Sequence, residues 1–339
     1  MNLTHSSRGW AVSLVALVAL AVATGTAWAQ EASSERLLVL LRDASALAIV
    51  DPASGTVLGR VPTGRDPHEV TASPDGRLAF VASPSDGISV IDIASQREIR
   101  RVNPGSGSGP HDVLFVDGKV YFTIEGYKSI GRYDPEADQI DWTLGIGQEG
   151  THLLVLGPDG RTLFMPNRAS NTVTMAVGAI DGPSETALSV IPVPGDLPEG
   201  IDLSPDGREV WTATRNDGGV SIINVAAKEV VQSLELGLQD ANRLKFTPDG
   251  RVLIIDGEAA SLVVLDAASR NVLKRISMDE MDTGDGAILV SRDGTRAYVG
   301  LRDADRVAVV DLATLEVTGE IMMGEGSGPG CMFWARANN

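Results

Sequence analysis

The chain has 339 residues, 43% of them hydrophobic, and a formal net charge of −17. So acidic a surface repels phosphates and anionic headgroups, which disfavours nucleic acid or a membrane surface as partner and favours a cationic ligand, a basic protein or a metal ion. One cysteine, Cys331, rules out an internal disulfide, and the lack of Cys-x-x-Cys-His rules out covalent c-type haem.

Residues 1–29 read as an export leader. Arg8 supplies a basic start, residues 10–23 are apolar, and Ala27-Trp-Ala29 offers a small-x-small site for cleavage after Ala29. The apolar stretch is short for a membrane span, and the single arginine ahead of it points to the general secretory route. The expected location is the periplasm, with no membrane span left after cleavage. Residues 30–35 form a short linker and residues 36–336 the folded domain.

Within that domain a tight-turn signature returns six times: Ser73-Pro-Asp-Gly76, Phe115-Val-Asp-Gly118, Gly157-Pro-Asp-Gly160, Ser204-Pro-Asp-Gly207, Thr247-Pro-Asp-Gly250 and Ser291-Arg-Asp-Gly294. The starts are 42, 42, 47, 43 and 44 residues apart. A fixed period of this length, built from short alternating β runs, predicts an all-β propeller of four-stranded antiparallel blades. In the first unit the strands are expected at 69–72, 78–82, 88–92 and 98–102. Pro presets φ and Gly supplies φ > 0, so the first two strands join through a tight turn. A second turn opens on an aspartate that accepts backbone N–H bonds, as in Asp92-Ile-Ala-Ser-Gln96 and Asp266-Ala-Ala-Ser-Arg270. The unit at 177–194 is longer and reads as an extended surface loop. Six inner strands precede the six turns, and residues 331–335 make a seventh. The strands of residues 36–61 complete that blade, so the two ends of the domain close a seven-bladed ring and leave no open sheet edge.

The inner-strand plus Ser-Pro-Asp-Gly pattern, with Arg296-Ala-Tyr-Val-Gly300 and Asp305-Arg-Val-Ala-Val-Val-Asp311, resembles the YVTN family of β-propeller repeats over essentially the whole domain. The eponymous tetrapeptide is altered to Phe164-Met-Pro-Asn167, Trp211-Thr-Ala-Thr214 and Tyr298-Val-Gly-Leu301. The resemblance implies the fold and leaves the activity open among binding proteins, lactonase-like enzymes and haem d1 or quinoprotein-type redox domains.

Both repeated turns lie on one face of the disc, so variable function belongs to the other, where each inner strand begins. The position that opens the inner strand holds His68, His111 and His152 in three consecutive blades. Then come Glu199, Asn242, Asp285 or Gly286, and Cys331. Imidazole, carboxylate and thiolate are the ligands of a divalent transition metal, the cofactor this set implies, with His68, His111, His152 and Glu199 as its candidate ligands. The histidines equally suit a structural part, bonding the backbone of a neighbouring blade. A second ring on the same face comes from the ends of the second strands: Arg42, Ser83, Glu125, Asn167 with Arg168, Arg215, Asp256 and Arg302. Its arginines suit an anionic ligand, or salt bridges to Glu125, Asp256, Asp303 and Asp305. Met322-Met323 and the glycine-rich run 324–330 read as a ring-closing linker.

Three functions follow. The first is a binding protein that captures a small anionic ligand, a metal complex or a partner protein at the channel mouth. The second is a metal-assisted lactonase or lyase, with His111 or His152 as general base and Glu199 as ligand or acid. The third is a redox-associated propeller holding a non-covalent cofactor. No Gly-x-Ser-x-Gly, His-Glu-x-x-His or phosphate-loop motif is present.

Overall fold

The computed structural model describes residue 1 and residues 35–278 and 286–337. The chain divides into Met1–Ala32 and Ser33–Asn339, and every described element belongs to the second unit. The expected leader at 1–29 lies outside the described residues, as does Asp285. Among the described residues no helix is long and apolar enough to cross a membrane.

Seven four-stranded antiparallel sheets form the blades of a β-propeller. Numbered along the chain, blade one runs Glu69–Ala72, Leu78–Ser83, Gly87–Asp92 and Arg97–Val102. Blades two to six begin with the inner strands Pro110–Val116, Val155–Leu156, Pro198–Leu203, Ala241–Phe246 and Ala287–Val290. Blade seven joins the two ends of the domain: Pro329–Arg336 pairs with Glu35–Leu41, matching Leu37 to Trp334, Leu38 to Phe333 and Val39 to Met332. Its inner strand packs against those of blades six and one, which closes the ring.

Why these segments form blades is visible in their burial. The two middle strands of each blade are covered on both faces by the neighbouring blades, so they are continuous apolar runs; Val252–Ile255 and Leu262–Leu265 are wholly buried. Outer strands face the rim and alternate, as in Thr56–Pro62. Each apolar cluster straddles two blades. Phe80 and Val90 of blade one, for example, pack with Phe122 and Tyr133 of blade two.

The repeated turn has one construction. The Gly76 N–H donates to Ser73 O at 2.9 Å, the Leu78 N–H to Ser73 Oγ at 2.9 Å, and Ser73 Oγ to Asp75 Oδ1 at 2.5 Å. Ser204 and Thr247 repeat it. The copy at 115–118 departs: Asp117 and Gly118 both have positive φ, 47° and 80°, and Val116 pairs directly with Lys119, a two-residue hairpin. The long unit in blade three is not simply a surface loop. Ala187–Pro192 forms the outer strand, and residues 178–186 fold back so that Ala179 and Ile180 are buried and Tyr121 Oη donates to Ile180 O at 3.1 Å.

The glycine-rich run is the clasp of the ring. The Asp305 carboxylate of blade six accepts the N–H groups of Gly326, Ser327 and Gly328 at 2.6, 2.7 and 2.9 Å. These bonds, the Gly328 N–H first, hold its carboxyl below the usual range. Asp305→Ala should therefore cost about 2 kcal/mol, the scale of hydrogen bonds to a charged group. A lowered folded pKa means this stability is fully present above the ordinary aspartate pKa and lost as pH falls through the folded value. Urea unfolding of the two proteins should differ most at neutral pH and converge in acid; a pH-independent gap would contradict the assignment.

Candidate functional site at the channel mouth

The three histidines meet. His111 lies between the others, its ring centroid 4.4 Å from His68 and 3.7 Å from His152. Inner strands of adjacent blades run side by side, so equivalent positions in blades one, two and three are neighbours, however wide the channel is. His111 stands in its inner strand. His152 precedes a strand shortened to Val155–Leu156, and its N–H is held by Pro166 O at 3.0 Å.

Their surroundings differ. His68 Nε2 lies 3.0 Å from Asp66 Oδ2 and 2.9 Å from Arg42 Nη2. His152 Nδ1 donates to Glu125 Oε1 at 2.6 Å, and its Nε2 lies 3.8 Å from Glu199 Oε1. Burial works against charge on His152, but Glu125 and Glu199 outweigh it and raise its pKa. His111 is pushed well below the ordinary imidazole value, by burial first and then by the charge of His152. The two imidazoles in contact are thus shifted in opposite directions. Among the described residues neither His111 Nδ1 nor His152 Nε2 has a hydrogen-bond partner, although Nε2 faces the Glu199 carboxylate.

Glu199 is the hub of the arginines. Its side chain is 2% exposed, with Arg168 Nε at 3.2 Å, Arg215 Nη1 at 3.3 Å and Arg243 Nη1 at 3.5 Å. Burial alone would raise its pKa; His152 and the guanidiniums hold it well below the usual carboxylate range. Arg215 also reaches Asp240 at 3.0 Å, and Arg243 reaches Glu69 at 2.8 Å. Burial pushes Asp240 up to about 6, with Arg215 opposing. Burial, then the charge of Glu69, takes Asp112 up to about 7 against the pull of the Leu154 and Val113 N–H groups it accepts.

The second ring does not act as one surface. Arg42 pairs with Asp66, and Arg302 with Asp43, each at 2.6 Å. Of the partners expected for these arginines, Glu125 binds His152 instead, and Asp305 binds the clasp. Asp256 accepts the Gln239 and Ala259 N–H groups and lies 3.8 Å from Arg275. Asn167 is spent on Thr151, Thr172 and Thr174. Ser83 Oγ is buried without a hydrogen-bond partner among the described residues. Asn242 donates to Asp240, while its Oδ1 has no hydrogen-bond partner among the described residues. At Gly286 a Cβ would lie 2.4 Å from Ile255 Cδ1, so packing accounts for the glycine. Cys331 is not in the histidine row. It lines the channel at the level of Glu69 and Arg243, and burial, then Glu69, raises its pKa well above the ordinary thiol value. Below the mouth lies a 290 Å³ cavity with walls such as Val113, Leu154, Leu244 and Met332.

Sequence reasoning missed Asp66, Glu69, Asp112, Asp240 and Arg243. Each stands within two residues of a residue it selected: Asp66 and Asp240 precede their inner strands, and strict alternation would send Asp112 and Arg243 to the side opposite His111 and Asn242. Register shifts at the starts of the inner strands of blades two, four and five break that alternation, so successive side chains reach the mouth.

The fold and its mouth define the class: a seven-bladed β-propeller that gathers imidazoles, carboxylates and guanidiniums where its inner strands begin. The chain belongs to the cytochrome D1 heme domain family, whose profile matches residues 33–133 and 168–292, more than half of its length. Its structure is similar to a functionally unknown protein from Desulfotomaculum acetoxidans, with TM-score 0.72 and 13% identity over 89% of this chain and 99% of that one. It is similar to virginiamycin B lyase from Staphylococcus aureus, with TM-score 0.68 and 13% identity over 89% and 95%. A dihydro-heme d1 dehydrogenase, NirN, follows with TM-score 0.64 and 18% identity, over 86% of this chain and 64% of that one. At these identities the likeness carries the fold alone.

Proposed function

We propose that this chain is an exported, periplasmic binding protein that captures a small ligand at the histidine mouth of its propeller. One observation carries the reading. Among the described residues, the buried polar atoms without a hydrogen-bond partner include three at this mouth, His111 Nδ1, Asn242 Oδ1 and Ser83 Oγ. A purely structural network would satisfy its members, since an orphaned buried group costs about 1–3 kcal/mol. The YVTN-like cast of the blades bears on the scaffold and not on the ligand.

Charge narrows the ligand. Arg42, Arg168, Arg215 and Arg243 each face a carboxylate, so a free anion would have to displace Asp66, Glu199, Asp240 or Glu69. A haem-type cofactor, suggested by the family, does not fit this arrangement. The arginines that would hold its acidic side chains are already paired. Catalysis by His152 as a base is disfavoured by the two glutamates that hold its proton.

Native mass spectrometry of the full chain, purified from exporting cells, tests the reading. A stoichiometric mass increment is expected, lost on unfolding and diminished in His111→Gln. A chain of bare mass throughout would remove the proposal.

A further inference from the structure

Resting on that reading, and making it specific, we infer that the mouth is a divalent transition-metal site whose protein ligands are His111, His152 and Glu125. One ligand atom from each of these residues can be chosen so that all lie within 4.8 Å of one another. Ligands 2.0–2.2 Å from a shared tetrahedral ion are about 3.5 Å apart, so small side-chain rotations bring the three to bonding distance. The other sequence candidates are committed elsewhere: His68 Nε2 to Asp66 and Arg42, and Glu199 to three guanidiniums.

The donor types set the class of ion. Two imidazoles and one carboxylate suit zinc-like or ferrous-like ions, whereas calcium and magnesium take all-oxygen shells. His111 offers an Nδ1 with no hydrogen-bond partner among the described residues, in a side chain fixed between two neighbouring rings. The ion inserts where His152 now donates to Glu125, so one proton leaves His152 for solvent as the metal enters. Glu125 belongs to the short 3-10 turn Glu125–Tyr127 and is the most exposed of the three, with 29% of its side chain accessible. It therefore marks the route from solvent and the side on which a further coordination position stays open. The arrangement would hold the ion by protein side chains alone, without a macrocycle.

The test uses the full exported chain, stripped with chelator and titrated with Zn²⁺ by calorimetry and with Co²⁺ by visible absorption. One ion per chain is expected, with Co²⁺ bands of low-symmetry nitrogen–oxygen coordination and no comparable binding of Mg²⁺. Glu125→Gln and His111→Gln should each weaken Zn²⁺ at least about 100-fold, beyond the 10–100-fold typical of an outer-shell partner. Glu125→Gln keeps the side chain's size, and its unchanged thermal unfolding would show that the loss is not a folding defect. Zn²⁺ affinity unmoved by either substitution places the ion on the acidic surface and overturns the inference. Absent Zn²⁺ and Co²⁺ binding, with a native mass increment still sensitive to His111→Gln, overturns the metal and leaves the binding function standing. Absence of both removes both.

Discussion

Replacing Glu199 with alanine is expected to destabilise the propeller by about 3–5 kcal/mol, the scale for removing one partner from a buried ionic cluster. Three guanidiniums lie within 3.5 Å of this carboxylate, and Arg cannot shed its charge to escape. Glu199→Gln keeps shape and an acceptor oxygen, so it should cost less, about 1.5–3 kcal/mol. Both variants should lower the pKa of His152 in NMR titration, because Glu199 helps raise it. The pH profile has two arms. Glu199 stabilises above the ordinary glutamate pKa and loses that contribution as pH falls through its depressed value. His152 stabilises most below the ordinary histidine value of about 6.5 and loses its contribution as pH rises through its elevated one. An alanine variant less than 1 kcal/mol below wild type would mean that the arginines redistribute freely to Asp240 and Glu69, and that the mouth is a solvated charge cluster.

Trp334→Ala should be as damaging, about 3–5 kcal/mol, for a different reason. Trp334 lies on the strand that closes the ring, 8% exposed, in edge contact with Tyr298 of blade six at 5.3 Å. Its Nε1 donates to Val290 O at 2.9 Å. Alanine opens a void in the cluster that joins blades six and seven, where Leu37, Val39 and Met332 also pack. Trp334→Phe fills most of that volume, keeps the ring contact and loses mainly the hydrogen bond, so it should cost only about 1 kcal/mol. Urea titrations should show cooperative unfolding in both variants, with the alanine midpoint far lower. Equal losses for Phe and Ala would move the weight from packing to the hydrogen bond. Negligible loss in both would mean that the closing strand contributes little.

Much of this was legible beforehand, and the reasons differ from element to element. Blade one was expected at 69–72, 78–82, 88–92 and 98–102 and lies at Glu69–Ala72, Leu78–Ser83, Gly87–Asp92 and Arg97–Val102. Turn chemistry is local: Ser73, Asp75 and Gly76 satisfy one another within a few residues, so the signature reads the same in isolation as in the disc. The closure of blade seven followed from counting strands at the two ends. The pairing of Arg302 with Asp43 did not, because the partners stand 259 residues apart and their meeting depends on how adjacent blades abut. The long unit of blade three misled for a similar reason: the burial of Ile180 depends on Tyr121 in another blade.

At the mouth the same division holds. The period of the repeat placed His68, His111 and His152 at equivalent positions, and circular closure makes equivalent positions neighbours. Composition and spacing alone therefore determined the seven-bladed disc, its closed ring and the face on which the histidines meet. Only the tertiary structure decided that Glu125 joins Glu199 against His152, and that Asp66, Asp240 and Arg243 belong to the same cluster. The physical reason is that a repeat specifies backbone position blade by blade, whereas bulges at the inner-strand starts and long charged side chains reaching between blades choose their partners through space.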